Sequence, residues 1–310
     1  MSTNSHIHVC ICTYNRLDYL KRCLTKLIPQ KNSNSLLISV VDNNSSDGTK
    51  AYVDSLHLEV QYLFESRQGL SNARNMAWQA SSSEWIFYLD DDCLPSETLL
   101  RNAIDLIQHH PNVDAFGGPI DAVFEGPFPD WLPEGFGSFS MPHAECTQIE
   151  TGFIRGGCFL IRRKVLEDLG GFDDRLGVAG KSLQYGEELE LQLRMRRKNY
   201  SIAYAPSLQV GHYVRTEKMS LCWVLHSAYA RRRDKMLFEP IPLGIATLNL
   251  FRTFVGRLFW TPVYFGKAIF SHSSGFKKAL YQIAQPLAYR LGEWMGVVKG
   301  IFGKRISSID

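Results

Sequence analysis

The chain has 310 residues, 45% of them hydrophobic and 21% charged, with a net charge of +3. That is ordinary soluble-protein composition, long enough for one large domain or for one domain plus an appendage. Seven cysteines (Cys10, Cys12, Cys23, Cys93, Cys146, Cys158 and Cys222) without a repeated C-x-x-C pair exclude a zinc ribbon and a disulfide framework, and read as reduced thiols.

The polar segment Met1–His8 lacks a basic region followed by an apolar core, so no secretory signal is expected and the chain is placed on the cytosolic side. Strands and helices then alternate. His6–Cys12 and Leu36–Val41 are short apolar runs of the kind that buried parallel strands need. Between them, Asn15 is positioned to cap a helix with apolar residues at Leu17, Leu20, Leu24 and Leu27. A turn-rich run, Asp42–Thr49, precedes a helix at 50–56. Strands are predicted at 60–64, 85–89, 113–116 and 157–161, and helices at 70–80, 96–109, 163–169 and 186–198. Ile202–Ala205 is the last clear strand. From Asp121 to Glu150 a Pro- and aromatic-rich stretch has no periodicity and reads as an irregular insertion.

Such an order implies right-handed crossovers and an α/β fold with a mostly parallel, Rossmann-like sheet flanked by helices. Ligands of these sheets bind at the carboxyl ends of the strands, which singles out the loops 13–16, 42–47, 90–93 and 117–119. Three consecutive aspartates, Asp90, Asp91 and Asp92, follow the apolar run Trp85–Leu89. Like charges crowded there need an offset, and Mg²⁺ or Mn²⁺ bound through carboxylates supplies one. The bland alternative is a solvated acidic loop. Asp42 also follows a strand directly and can accept a hydrogen bond from a nucleobase or ribose, whereas Ser46 and Gly48 fit turn chemistry.

Four segments, two of them holding these aspartates, occur in order: C-T-Y-N-R at Cys12–Arg16, V-D-N-N-S-S-D-G-T at Val41–Thr49, G-L-S-N-A-R-N at Gly69–Asn75 and L-D-D-D at Leu89–Asp92. G-G-C-F-L-I-R-R at Gly156–Arg163, G-G-F-D at Gly170–Asp173, G-E-E-L-E-L at Gly186–Leu191 and His212 follow. Over residues 6 to 215 the ordered set resembles the family 2 glycosyltransferases, which have a GT-A fold and assemble bacterial polysaccharides.

The resemblance implies a donor site of Thr13, Tyr14, Arg16, Asp42, Arg74, Asp90 and Asp91. A nucleotide-diphosphate sugar would be the donor, with UDP-sugar the expected one. Asp90 and Asp92 would be the ends of the family's Asp-x-Asp, with His212 near the metal, Mn²⁺ or Mg²⁺. Because Asp91 is acidic as well, which pair holds the metal stays open. Glu187–Glu188 stands where the family usually has Glu-Asp, so Glu188 would be the general base of an inverting, hexosyltransferase-like transfer. It is one methylene longer than the usual Asp, which leaves Glu187 as the alternative. Helix-start charge favoured by the macrodipole is the plain reading of both. The acceptor would be a hydroxyl of a glycan or lipid-linked glycan.

The catalytic domain is read as 1–215, followed by a helical, basic extension at 216–310. From Pro240 onward nine Lys or Arg face two acids, a net of +7, leaving −4 on the other 239 residues. Ser220–Lys235 reads as an aromatic helix with a basic end. Leu243–Phe270 is apolar but interrupted by Arg252, Arg257 and Lys267, too often for a membrane span. It fits either a helix lying in a membrane interface or a cap on the catalytic domain. The expected location is the cytoplasm, with peripheral attachment at the inner face of the plasma membrane as an option. Two other functions compete: an inactive glycan-binding scaffold, and a sugar-phosphate nucleotidyltransferase, which would need a Gly-rich basic loop that Cys12–Arg16 lacks. Nucleic-acid binding is not expected, since the basic excess lies in an apolar segment.

Overall fold

The computed structural model describes residues 7–31, 36–180, 183–269 and 275–302, in two compact units. The first takes in 7–123, 137–180 and 187–213; the second takes in 124–136, 183–186 and 214–302.

The centre of the first unit is β1 (Ile7–Thr13), buried along its whole length because it is covered on both faces. Its residues alternate between two cores. Ile7, Val9 and Ile11 meet Leu20, Cys23, Leu24 and Leu27 of α1 (Leu17–Leu27) on one side. Cys10 and Cys12 meet a second cluster with Ala73 and Ala77 of α3 (Leu70–Gln79) on the other. Between these helices lie β2 (Leu36–Asp42), α2 (Thr49–Ser55) and β3 (Gln61–Phe64).

Next come β4 (Trp85–Asp90), β5 (Cys93–Pro95), α4 (Leu99–His109), β6 (Ala115–Gly117), β7 (Ile120–Phe124) and β8 (Thr147–Gln148). The unit is completed by β9 (Cys158–Arg162), α5 (Arg163–Leu169), α6 (Glu187–Arg197), β10 (Ile202–Tyr204) and β11 (Val210–Val214). Eight strands form one sheet in the order β3-β2-β1-β4-β9-β6-β10-β8. Strands β3, β2, β1 and β4 run parallel, and β9 is antiparallel to both β4 and β6. A smaller sheet has the order β5-β11-β7.

Three local expectations are corrected. Asn15 does not cap α1: its φ is +52° and its Oδ1 accepts a hydrogen bond from Ser46 N. The first-turn N–H of Leu17 instead donates to Asp47 Oδ2 at 2.8 Å, so the cap comes from thirty residues away. The last strand of the unit is β11, not β10. The insertion at 121–150 is not wholly irregular, because β7 overlaps its start and β8 lies near its end. These short strands carry too few residues for a period-2 pattern to show.

In the second unit α7 (Leu221–Lys235), α8 (Leu243–Ile269) and α9 (Gly275–Phe302) pack together. Ser220 caps α7 by accepting from Trp223 N. Gly292 lets α9 approach α7, where a Cβ would overlap the Tyr229 carbonyl. Glu293 is fully buried on α9 and accepts hydrogen bonds from Arg232, Arg290 and Asn249. Helix α9 has no counterpart among the elements expected from sequence. Within the described residues no helix is long and apolar enough to cross a membrane.

Candidate active site

Register assembles the site. In the parallel ladder Thr13 lies opposite Asp42, and Cys12 opposite Asp90. The carboxyl ends of three adjacent strands therefore fall on one edge, where open α/β sheets bind ligands. Strand β9 returns antiparallel beside β4, which brings Gly157 to Asp90; a Cβ at Gly157 would stand 3.0 Å from Asp90 Oδ2. Pairing of β11 with β5 sets His212 opposite Cys93, one residue past Asp92.

The three aspartates do different things. Asp90 is partly exposed and accepts from Arg74 Nη2 at 3.2 Å. Asp91 is buried, taking the Thr13 hydroxyl at 2.8 Å and Arg16 Nη1 at 3.0 Å. Asp92 is buried with Oδ2 3.4 Å from Arg16 and Oδ1 3.1 Å from His212 Nε2. Burial pushes the Asp91 carboxyl up to about 6, against the pull of Arg16 and with the push of Asp92. A run of like charges is thus held by two guanidiniums, one imidazole and one hydroxyl.

Arg74 is 2% exposed and spans the site. Its Nη1 donates to Glu187 Oε1 at 2.9 Å, and its Nη2 reaches both Asp90 and the Gly156 carbonyl. The guanidinium also lies over the rings of Tyr88 and Phe172. Glu187 is buried at the start of α6, whereas Glu188, the next residue, is partly exposed. Burial first, and then the charge of Glu188, push the Glu187 carboxyl up to about 8 in spite of Arg74. A carboxyl whose folded pKa exceeds its ordinary 4.5 contributes stability that is fully present below about pH 4.5 and lost as pH rises through about 8. The melting temperature of the wild type is expected to fall relative to Glu187→Gln between pH 5 and pH 9. Parallel curves would show that Glu187 keeps its charge in the fold.

Asp42 Oδ1 caps its own turn by accepting from Ser45 N, and Oδ2 accepts from the Tyr62 hydroxyl at 2.9 Å. Tyr14 is partly buried on the loop after β1. Cys158 is buried, with its thiol against the Leu208 carbonyl, and all seven cysteines are free. Tyr62 was not singled out in the sequence, since neither spacing nor charge marks it, whereas Gly156 and Gly157 open one of the motifs read there.

The structure brings Thr13, Arg16, Asp91, Asp92 and His212 into one cluster, and Arg74, Asp90 and Glu187 into another. It does not gather Asp90, Asp92 and His212 as three converging ligands. Among the described residues no group of three His, Cys, Asp or Glu side chains stands ready to hold a metal alone. Asp92 Oδ1 and His212 Nε2 instead lie 3.1 Å apart and bond to each other.

A sheet of this order, with an acidic run at the end of β4 and a glutamate tied to it by Arg74, has the GT-A architecture of glycosyltransferases. A model of glycosyl transferase family 2 matches residues 8–170, more than half of the chain, which belongs to that family. Glycosyltransferase AglE of Haloferax volcanii is 27% identical over 213 residues, 66% of either chain. Succinoglycan biosynthesis protein ExoM of Rhizobium meliloti is 26% identical over 227 residues, 71% of this chain and 70% of its own. The chain thus spans about two thirds of these relatives' length. Among solved structures, the mannosyltransferase PcManGT of Pyrobaculum calidifontis, in complex with GDP-Man and Mn²⁺, has the same fold. It superposes with a TM-score of 0.55 at 19% identity, covering 96% of this chain and 75% of that one.

Proposed function

We propose that the chain is an inverting, metal-assisted glycosyltransferase that moves a sugar from a nucleoside-diphosphate sugar to a hydroxyl of a glycan or lipid-linked glycan. The observation that carries this reading is Arg74, whose one guanidinium ties Asp90, on the donor edge of the sheet, to Glu187, beside Glu188. Family membership and the fold shared with a GDP-Man and Mn²⁺ complex support the donor class and a divalent cation. The relation to a succinoglycan biosynthesis protein supports polysaccharide assembly.

In this mechanism Thr13, Tyr14 and Asp42 bind the nucleoside, with Asp42 pre-oriented by Tyr62. Asp92 with His212 would hold Mn²⁺ or Mg²⁺, which when bound supplies Lewis-acid stabilisation of the leaving diphosphate. Glu188 accepts the proton of the acceptor hydroxyl as its oxygen attacks the anomeric carbon, and inversion follows from one displacement without a covalent enzyme intermediate. Glu187 is buried and engaged by Arg74, with its carboxyl raised above the ordinary range by burial and by Glu188, which leaves that role to its more exposed neighbour. Arg74 holds Asp90 and Glu187 together, and so positions the start of α6, where Glu188 lies, against the end of β4.

The test is a thermal-shift panel of nucleoside diphosphates with and without Mn²⁺, on wild type and Asp92→Ala. At a ligand concentration about 100 times its dissociation constant, native-state binding adds about 2.7 kcal/mol, a shift of several degrees. One nucleotide is expected to stabilise wild type only with Mn²⁺ and to leave Asp92→Ala unmoved. No response to any nucleotide would remove the transferase reading and favour a glycan-binding scaffold.

A further inference from the structure

Helix α8 has two chemically different sides. One is committed to the second unit's own packing: Ala246 is fully buried, and Asn249 donates to the buried Glu293 of α9 at 2.9 Å. On the other side Leu248, Phe251, Val255, Leu258 and Phe259 recur at helical spacing, each close to half exposed or more. Phe251, Leu258 and Phe259 reach 63%, 65% and 75% exposure, and Phe254 and Trp260 flank them at 55% and 50%. Single exposed apolar residues are common, but a contiguous apolar stripe of this length marks an interaction surface.

We propose that this stripe docks the protein onto an anionic membrane surface, with α8 lying in the headgroup plane. Three features point to lipid. Phe and Trp bodies with adjacent cations suit the boundary between headgroups and acyl chains. Arg252 and Lys267 on α8, and Lys277 and Lys278 near the start of α9, are all exposed, and residues from Pro240 onward carry a net +7. That charge attracts phosphatidylglycerol-type headgroups and repels a second copy of the same surface. Finally, no described helix is long and apolar enough to cross a membrane, and the cations Arg252, Arg257 and Lys267 along α8 suit a helix lying in the interface. The inference is independent of the donor and metal assignments.

The test is vesicle flotation of the full chain with phosphatidylcholine alone or mixed with phosphatidylglycerol. Wild type is expected to float with the mixed vesicles at least about tenfold more tightly than with the neutral ones, and to release as salt rises. Phe251→Ser/Leu258→Ser/Phe259→Ser is expected to lose about tenfold or more in binding at an unchanged melting temperature, since these side chains are exposed. Lys277→Gln/Lys278→Gln should lose roughly fivefold per cation removed. The proposal is overturned if wild type ignores both vesicle types, or if the triple serine variant floats equally well. It is also overturned if light scattering shows a dimer that the triple variant splits, because the stripe would then be a self-association surface.

Discussion

Arg74→Met is expected to cost about 3–5 kcal/mol of unfolding free energy, the range seen when one partner of a buried ion pair is removed. The arginine is 2% exposed, and its guanidinium is shared by Glu187, Asp90 and the Gly156 carbonyl. Methionine fills part of the volume between Tyr88 and Phe172 but gives these acceptors nothing. The cost depends on pH, because Glu187 can shed its charge by taking a proton. Loss near pH 5 should sit at the low end of the range, and loss above about pH 8 at the high end. Adding Glu187→Gln to Arg74→Met is expected to recover part of the loss, which a double-mutant cycle by chemical denaturation would register as coupling. An Arg74→Met protein with the wild-type midpoint would mean that Arg74 does not hold this site together.

Glu188→Gln is expected to lower kcat by about 10²–10⁴, the usual contribution of a positioned general base. Nucleotide affinity with Mn²⁺ should stay within about twofold, since the role assigned to Glu188 lies on the acceptor side. Initial rates of nucleoside diphosphate release, with glycan or water as acceptor, measure the effect. Glu187→Gln serves as the comparison: it keeps a hydrogen-bonding group toward Arg74 and should change the pH dependence of stability more than kcat. The reverse pattern, with Glu187→Gln inactive and Glu188→Gln near wild type, would exchange the two roles.

The candidate site was legible in part because strand ends announce themselves. An apolar run followed at once by Asp, as at Val41-Asp42 and Leu89-Asp90, marks the carboxyl end of a buried strand with a carboxylate at its tip. What each aspartate does was not legible. Asp90, Asp91 and Asp92 look alike in sequence, yet one faces Arg74, one faces Thr13 and Arg16, and one faces His212. Asp90 ends β4 while Asp91 and Asp92 form the turn before β5, and only the opposing elements decide what each meets. Asn15 shows the same limit. It has the residue type of a helix cap, but the loop after β2 delivers Asp47 to that place instead.

The alternation of apolar runs, the α/β class, the carboxylates at the strand tips and the family resemblance were all set by the sequence alone, since they depend on local composition and order. The apolar and basic character of the C-terminal segment was equally plain there. Tertiary structure decided the rest: the pairing of His212 with Asp92 through β11, the span of Arg74 from Asp90 to Glu187, and the shift of Glu187 to about 8. It also decided which side of α8 packs on α9 and which stays exposed. The physical reason is common to all four. Burial, pairing and electrostatic neighbours belong to residues distant in the chain, and a local pattern carries no information about them until the sheet register and helix packing bring them together.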